Sequence, residues 1–583
     1  MYFILSLVNF SYIFLDSMAE KEPLPREHTQ LTITNDIDHI EAPVTLKAYL
    51  MCAFATFGGI FYGYDSGYIN GVSNSRLFIT AIEGPDASAL SSSHQSLIVS
   101  ILSGGTFFGE LQLFLPLPCV DKHLSAGALM AGDLADFLGR RTTVIIGCFT
   151  YIAGIVVQMA TPINNPTQAL GLIVAGRLIA GFGVGQVSAT IITYMSEICP
   201  RKVRGALVSG YQFCITIGLL IASIVAYATQ SRKDTGQYRI PIAIQFAWGL
   251  ILAIGLFLLP ESPRYFVKRG ESEKARRSLA ILRGQPEDSK FVEVELAEIV
   301  ANAEYEGKLV PSGSYFSSWT NCFTGSIWEA RSNLRRTILG TSLQMMQQWT
   351  GVNFIFYYST PFLKSTNAIS NTFLISLIFT LINVLSTPVS FWTIEKFGRR
   401  PLLIWGAFGM CICQFIVAIV GVTVGFNHIH TVNGSPVADN TAAVSAQIAF
   451  ICVYIFFFAS TWGPGAWVVT GEIFPLSVRS RSVALSTASN WFWNTIIAVI
   501  TPYMVGEDQG DLKSSVFFVW GSLCTCALVY AYFLVPEIKG LTLEQVDRMF
   551  EETTPRKSSK WRPTTTYVDQ VGAKDGHVDV KNV

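Results

Sequence analysis

The amino-acid sequence predicts an all-α membrane protein of twelve transmembrane helices, in two pseudo-symmetric six-helix halves joined by a helical linker. Three observations predict it. Half of the residues are hydrophobic, 14% are charged and the mean hydropathy is +0.41, whereas about a quarter of an average soluble domain is charged. Twelve apolar runs approach the length needed to cross ~30 Å of hydrocarbon. Short motifs at the ends of these runs occur twice along the chain.

The runs are 46–66, 96–132 with an interruption, 142–160, 168–191, 205–227, 241–260, 336–360, 372–394, 401–425, 444–470, 482–504 and 514–535. A tail, 1–45, precedes the first half, 46–260, and a polar tail, 536–583, follows the second half, 336–535. In the linker, 261–335, "ESEKARRSLAILRG" and "DSKFVEVELAEIVANAEYEG" combine helical periodicity with mixed charge, which predicts short surface helices. "GRR" (139–141), "RKVR" (201–204), the linker, "KFGRR" (396–400) and "RSR" (479–481) all fall on one side of the membrane. The bias of basic residues makes that side, and both termini, cytoplasmic. On the other side, "NGS" (433–435) is a glycan acceptor weakened by Pro436.

Forty-one Lys and Arg balance 41 Asp and Glu, so no global field points to nucleic acid. The eleven cysteines show no metal-ligand spacing and fall mostly in apolar runs, where a thiol acts as a small hydrophobe. No nucleophile and base pair or nucleotide loop appears, so neither an enzyme nor a cofactor is expected. "GFGVGQ" (181–186) lacks the strand and Lys of a phosphate loop and predicts close helix packing.

The second run is broken by "ELQLFLPLPCVDKHLSAG" (110–127). Pro116 and Pro118 remove helix donors, and an ion at the centre of a span costs about 2.5 kcal/mol or more. Without these residues, "SLIVSILSGGTFFG" joins "ALMAG" in one apolar run. The flanking Gly-Glu and Ala-Gly can be encoded with splice donor and acceptor signals, so a retained intron is expected, the alternative being an inserted loop. The first residues, 1–17, make a poor signal peptide, and Met18 is the expected start.

Polar groups at membrane depth mark candidate function. In "QQWTGVN" (347–353), Gln347 and Gln348 lie about 100° apart on a helix, with Asn353 roughly one and a half turns on. Together they can line part of a cavity wall. Sugar hydroxyls, which donate and accept, would satisfy these amides; hydrogen bonds between spans would do so too. Asp65 and Arg177 lie within the first and fourth spans, where a charge is functional by default and normally has a partner. If they pair, burial favours the neutral acid and the guanidinium favours the ionised one, so separating them promotes protonation. A static buried pair is the other reading.

The halves repeat: "DFLGRR" (136–141) as "EKFGRR" (395–400), "SEICPRKVRG" (196–205) as "GEIFPLSVRS" (471–480), and "PESPRYF" (260–266) as "PEIKGLT" (536–542). Related halves around a midplane site are a transporter architecture. These motifs, in order across about 45–550, resemble the sugar porters of the major facilitator superfamily, and their wording resembles fungal hexose transporters. The resemblance implies alternating-access transport of a monosaccharide, glucose or a related hexose, across the plasma membrane, with a proton as co-substrate. By the same resemblance Gln212, Ile215, Gln347, Gln348, Asn353, Asn383, Trp467 and Asn490 face the sugar, and Tyr357 and Tyr358 form an outer gate. Asp65 and Arg177 resemble the proton-coupling device of the symporters. Asp136, Arg140, Arg141, Glu197 and Arg204, with Glu395, Arg399, Arg400, Glu472 and Arg479, resemble a salt-bridge latch between the halves at the inner gate. No oligomer is implied. A facilitative uniporter, a non-transporting sugar sensor, or a carrier of a sugar acid or quinate that recruits Arg177 are the alternatives.

Overall fold

The computed structural model describes residues 45–87, 89–111, 131–162, 165–199, 201–309, 319–329, 332–365, 372–425, 429–432, 435–438, 441–475, 478–506, 509–541 and 543–561. In the first half, α1 (Leu46–Ala55) and α2 (Gly58–Val72) make the first segment, and α3 (Arg76–Glu83) follows. α4 (Ser92–Leu111) and α5 (Ala131–Leu138) flank the interruption. α6 (Arg140–Met159), α7 (Pro166–Ile198), α8 (Arg201–Thr229) and α9 (Gly236–Leu258) complete the half. The linker carries α10 (Pro263–Lys268), α11 (Ser272–Arg283) and α12 (Lys290–Leu309).

The second half runs through α13 (Asn333–Trp349), α14 (Val352–Ser365), α15 (Thr372–Ser386), α16 (Val389–Phe397) and α17 (Arg399–Val420). It continues through α18 (Thr441–Phe457), α19 (Gly463–Glu472), α20 (Arg479–Val505) and α21 (Val516–Leu534), with α22 (Leu543–Glu552) in the tail. Among the described residues, eight helices are long and apolar enough to cross a membrane, and α15 with α16, bent by 43°, makes a ninth. The other three predicted spans fall on α1 with α2, on α4 and α5 either side of 112–130, and on α13 with α14. α4 extends through Glu110 and Leu111. Residues 112–130 and 1–44, on which the intron and Met18 readings rest, lie outside the described residues.

One feature departs from the helical expectation. Between α17 and α18, β1 (Ile429–Val432) pairs antiparallel with β2 (Ser435–Ala438), Ile429 opposite Ala438 and Val432 opposite Ser435. Asn-Gly, the dipeptide between them, is the strongest short-range hairpin signal.

Glycines set the helix spacing. A Cβ on Gly63 in α2 would lie 2.0 Å from the Ile215 carbonyl oxygen of α8, and one on Gly218 would lie 2.5 Å from that of Ile60. Gly181 sits against the Leu102 carbonyl, and Gly183 against the Gly147 carbonyl. "GFGVGQ" is thus a packing surface on two sides of α7. Backbone on both sides of the Gly63 contact leaves nothing flexible to yield, and overpacking costs about 1–3 kcal/mol or more. Gly63→Val is expected to lower the melting temperature of the detergent-solubilised protein markedly; an unchanged melting curve would refute the contact.

Candidate functional site

The seventh span breaks at Gly351, whose φ of +83° favours glycine and whose Cβ would lie 2.8 Å from the Trp520 ring. A break at membrane depth frees backbone groups that other helices must satisfy. The Thr350 carbonyl accepts from Gln414 Nε2 at 2.7 Å and from the Tyr454 hydroxyl at 2.8 Å. Across from it, a π-turn over Phe458–Trp462 precedes α19, and the Trp462 and Gly463 carbonyls both accept from Gln347 Nε2, at 3.1 and 3.0 Å.

Around these two irregularities the amides form one connected cluster. Asn490 of α20 donates through Nδ2 to Gln344 Oε1 and Gln347 Oε1, both at 2.8 Å, and accepts at Oδ1 from Gln348 Nε2 at 2.9 Å. Asn353 donates to Gln348 Oε1, and Gln344 Nε2 donates to Thr470 at 3.1 Å. Gln347 and Gln348 therefore meet through Asn490, and Asn353 joins them through Gln348. Gln212 of α8 comes close from the first half, its amide nitrogen 3.6 Å from where a Cβ on Gly463 would lie. Ile215 is buried at the α2–α8 contact. Asn383 is buried and Trp467 half-buried; neither side chain, nor that of Gln212, has a hydrogen-bond partner among the described residues.

Asp65 and Arg177 are both buried but form no direct ion pair. Arg177 donates through Nε to the Ile98 carbonyl at 2.7 Å and through Nη1 to the Tyr68 hydroxyl at 2.5 Å. Tyr68 in turn donates to Gln158 Oε1 at 2.7 Å. Asp65 Oδ1 lies 3.2 Å from the Tyr151 hydroxyl, which is also 2.9 Å from Gln245 Oε1, while Asp65 Oδ2 is buried without a hydrogen-bond partner. The hydroxyl carries one proton for two acceptors. Both contacts hold together when Asp65 supplies a second proton, or when the Gln245 amide is turned.

At the end away from the arginine motifs, hydrogen bonds tie the halves together. Asn70 Nδ2 donates to Ser359 and Ser376, both at 3.1 Å, and Ser96 donates to the Val499 carbonyl at 3.0 Å. Ser103 donates to Asn494 Oδ1 at 3.3 Å, and Asn494 Nδ2 donates to the Tyr357 hydroxyl at 3.2 Å. Tyr358 donates to the Ala498 carbonyl at 2.7 Å. Both tyrosines thus bind α20, and Tyr62 of α2 packs edge-on against Trp491 at 4.9 Å.

The arginine motifs adopt the same structure twice. Gly139 and Gly398 have φ of +96° and +92° and precede α6 and α17. Glu261 accepts from the Arg140 and Arg141 amides at 3.0 and 3.1 Å; Glu537 accepts from those of Arg399 and Arg400 at 3.0 and 3.1 Å. A carboxylate on an amino-terminal helix turn satisfies free N–H groups and complements the helix dipole. Arg140 pairs with Glu197 at 3.1 Å and Arg399 with Glu472 at 3.1 Å. Arg141 donates to the Leu259 carbonyl at 3.0 Å and Arg400 to that of Tyr532 at 2.7 Å. Glu395 is 3.4 Å from Arg399, and Arg479 donates to the Phe474 carbonyl at 3.1 Å. These ion pairs join helices of one half, whereas the resemblance implies a latch between halves. The side chains of Asp136 and Arg204 lie outside the described residues.

Sequence reasoning missed Gln344, Thr470, Tyr68, Tyr151, Gln158 and Gln245. The glutamines carried a signal, being amides within apolar runs; the tyrosines carried none. Glu261 and Glu537 stood in the repeated "PES" and "PEI" without an assigned role.

A family profile described as "Sugar (and other) transporter" matches residues 124–550. The chain is 38% identical over 545 residues to a probable glucose transporter of Neurospora crassa, covering 91% of this chain and 84% of that one. It is 37% identical over 530 residues to a high glucose sensor of Saccharomyces cerevisiae, covering 90% of this chain and 64% of the sensor. Among solved structures, the proton:xylose symporter XylE of E. coli superposes with a TM-score of 0.68 at 24% identity, over 86% of this chain and 99% of XylE. That likeness establishes the twelve-helix fold. With matched motifs in both halves and a profile covering most of its length, the chain belongs to the sugar transporter family of the major facilitator superfamily, a multi-pass membrane transporter and not an enzyme.

Proposed function

We propose that the protein carries glucose or a related hexose across the plasma membrane by alternating access, coupled to proton entry. The amide cluster carries this reading. Five amides from α13, α14 and α20 meet where α13/α14 and α18/α19 are irregular, and irregular backbone at the midplane is where transporters bind their substrate. On this reading Gln347, Gln348, Asn353 and Asn490 exchange their mutual bonds for sugar hydroxyls, with Gln212, Ile215, Asn383 and Trp467 completing the wall. Tyr357 and Tyr358, held to α20, form the outer gate. Asp65 takes the proton, and the Arg140 and Arg399 networks organise the inner gate with Asp136 and Arg204. Both termini and the linker face the cytoplasm, from the placement of the basic motifs. The guanidinium that a sugar acid would need, Arg177, is engaged by Ile98 and Tyr68, which favours a neutral sugar.

We also propose that 110–127 derive from a retained intron. The family profile begins only at 124, although α1 and α2 have the positions of a first span. A mature transcript encoding "LQLFLPLPCVDKHL" would refute this.

The deciding test is uptake of labelled glucose, with and without protonophore, in cells lacking their own hexose carriers, by the full chain and by a version without 110–127. Uptake that collapses with protonophore is the expected result. Uptake indifferent to it would mean a uniporter. Binding without uptake would favour a sensor, the second reading, for which the identity to the yeast glucose sensor speaks.

A further inference from the structure

The tail beyond α22 is part of the second arginine motif. Residues 553–561 lie across the end of α21, where the Arg556 guanidinium sits 5.4 Å over the Tyr532 ring and 5.3 Å over that of Phe533. Trp561 Nε1 donates to Glu552 at 2.7 Å. Between these anchors Ser558 is 3% exposed; its hydroxyl accepts from the Glu537 amide at 2.7 Å and donates to the Pro555 carbonyl at 2.7 Å. Glu537 is the carboxylate that caps α17. In the first half the corresponding hydroxyl comes from the linker, where Ser278 donates to the Glu261 carbonyl. Each half therefore has its capping glutamate held by a serine from a segment outside the membrane.

The tail serine differs from Ser278 in its surroundings. It stands in "TPRKSSK", directly after two exposed cations, Arg556 and Lys557. Basic side chains next to a hydroxyl complement an acidic kinase cleft, and a phosphate carries about −1.5 to −2 charge with three acceptor oxygens. Such a group fits neither the buried site of Ser558 nor the neighbouring Glu537 carboxylate.

We propose that Ser558 is a phosphoacceptor, and that its phosphorylation releases the strap 553–561 from Glu537 and slows transport. The seryl oxygen attacks the γ-phosphorus of a nucleoside triphosphate, the bond to the leaving diphosphate breaks, and the hydroxyl proton passes to the kinase base. The kinase takes the strap in its transiently released form, which the added charge then keeps from redocking. Loss of the Glu537 contact loosens the cap of α17, whose Arg399 pairs with Glu472. The effect on rate rests on the transport reading above; the release of the strap does not.

The test uses the full purified chain, radiolabelled ATP and a basophilic serine kinase, with the site assigned by tandem mass spectrometry. Label is expected on Ser558, retained in Ser559→Ala and lost in Ser558→Ala. Tryptic cleavage after Lys560 is expected to quicken about tenfold in the phosphorylated chain and in Ser558→Glu, the equivalent of ~1.4 kcal/mol for a lost hydrogen bond and an added repulsion. Label confined to Ser559, no label, or wild-type cleavage of Ser558→Glu would overturn the site. Ser558→Glu is also expected to lower uptake several-fold at equal surface abundance. Wild-type uptake by that variant would overturn the regulatory role, whereas a wild-type chain that carries no sugar would instead refute the transport reading.

Discussion

Asn490→Leu is expected to lower hexose uptake by about a hundredfold at equal surface abundance, the equivalent of ~3 kcal/mol. Leucine has the branched four-atom skeleton of asparagine, with bulkier methyl ends and none of its hydrogen bonds. Its introduction strands Gln344 Oε1, Gln347 Oε1 and Gln348 Nε2, which now meet Asn490. Each stranded group costs about 1–3 kcal/mol, part of which entering water offsets. Asn490→Ala leaves room for that water and should be the milder change, although it removes more side chain. Initial rates for the two variants, normalised to surface protein, check the prediction. Equal losses would mean that volume and not pairing matters, and a Leu variant transporting at the wild-type rate would remove Asn490 from the site.

Asp65→Asn should leave downhill exchange of sugar intact while abolishing its accumulation. Asparagine keeps the shape of the protonated acid and the contact to Tyr151 but cannot release a proton. The carrier then cycles as if permanently loaded. Inside and outside sugar should reach equality, and protonophore should no longer alter uptake. Counterflow and steady-state accumulation of a non-metabolised glucose analogue separate the two modes. Accumulation surviving in Asp65→Asn would place proton coupling elsewhere or remove it altogether.

The sequence made the spans, the two halves and the positions of the key amides readable, because hydropathy and repeated motifs are local properties. The partners were not local. That Gln347 reaches the carbonyls of Trp462 and Gly463 depends on a π-turn in another span, and no spacing within "QQWTGVN" encodes it. Asp65 and Arg177 were each conspicuous, yet tyrosines stand at both: Tyr68 at the guanidinium and Tyr151 at the carboxylate. Among 21 tyrosines these two had nothing to distinguish them. Glu261 and Glu537 were visible as repeated letters, but a capping role exists only once the end of one helix meets the start of another. Among the described residues, the ion pairs of Arg140 with Glu197 and of Arg399 with Glu472 close within one half for the same reason: charge type is written in the sequence, while the choice among nearby partners belongs to the packing.

The self-paired amides have a thermodynamic consequence. A hydroxyl that enters the cluster replaces a bond between Asn490 and a glutamine with bonds of its own, so it trades interactions of similar enthalpy instead of adding new ones. On the proposed reading, sugar binding at such a site draws little heat from hydrogen bonding, and its free energy comes from water released by apolar faces. An amide cluster that is content without ligand is also stable while empty, which a carrier needs on the half of its cycle in which it returns unloaded.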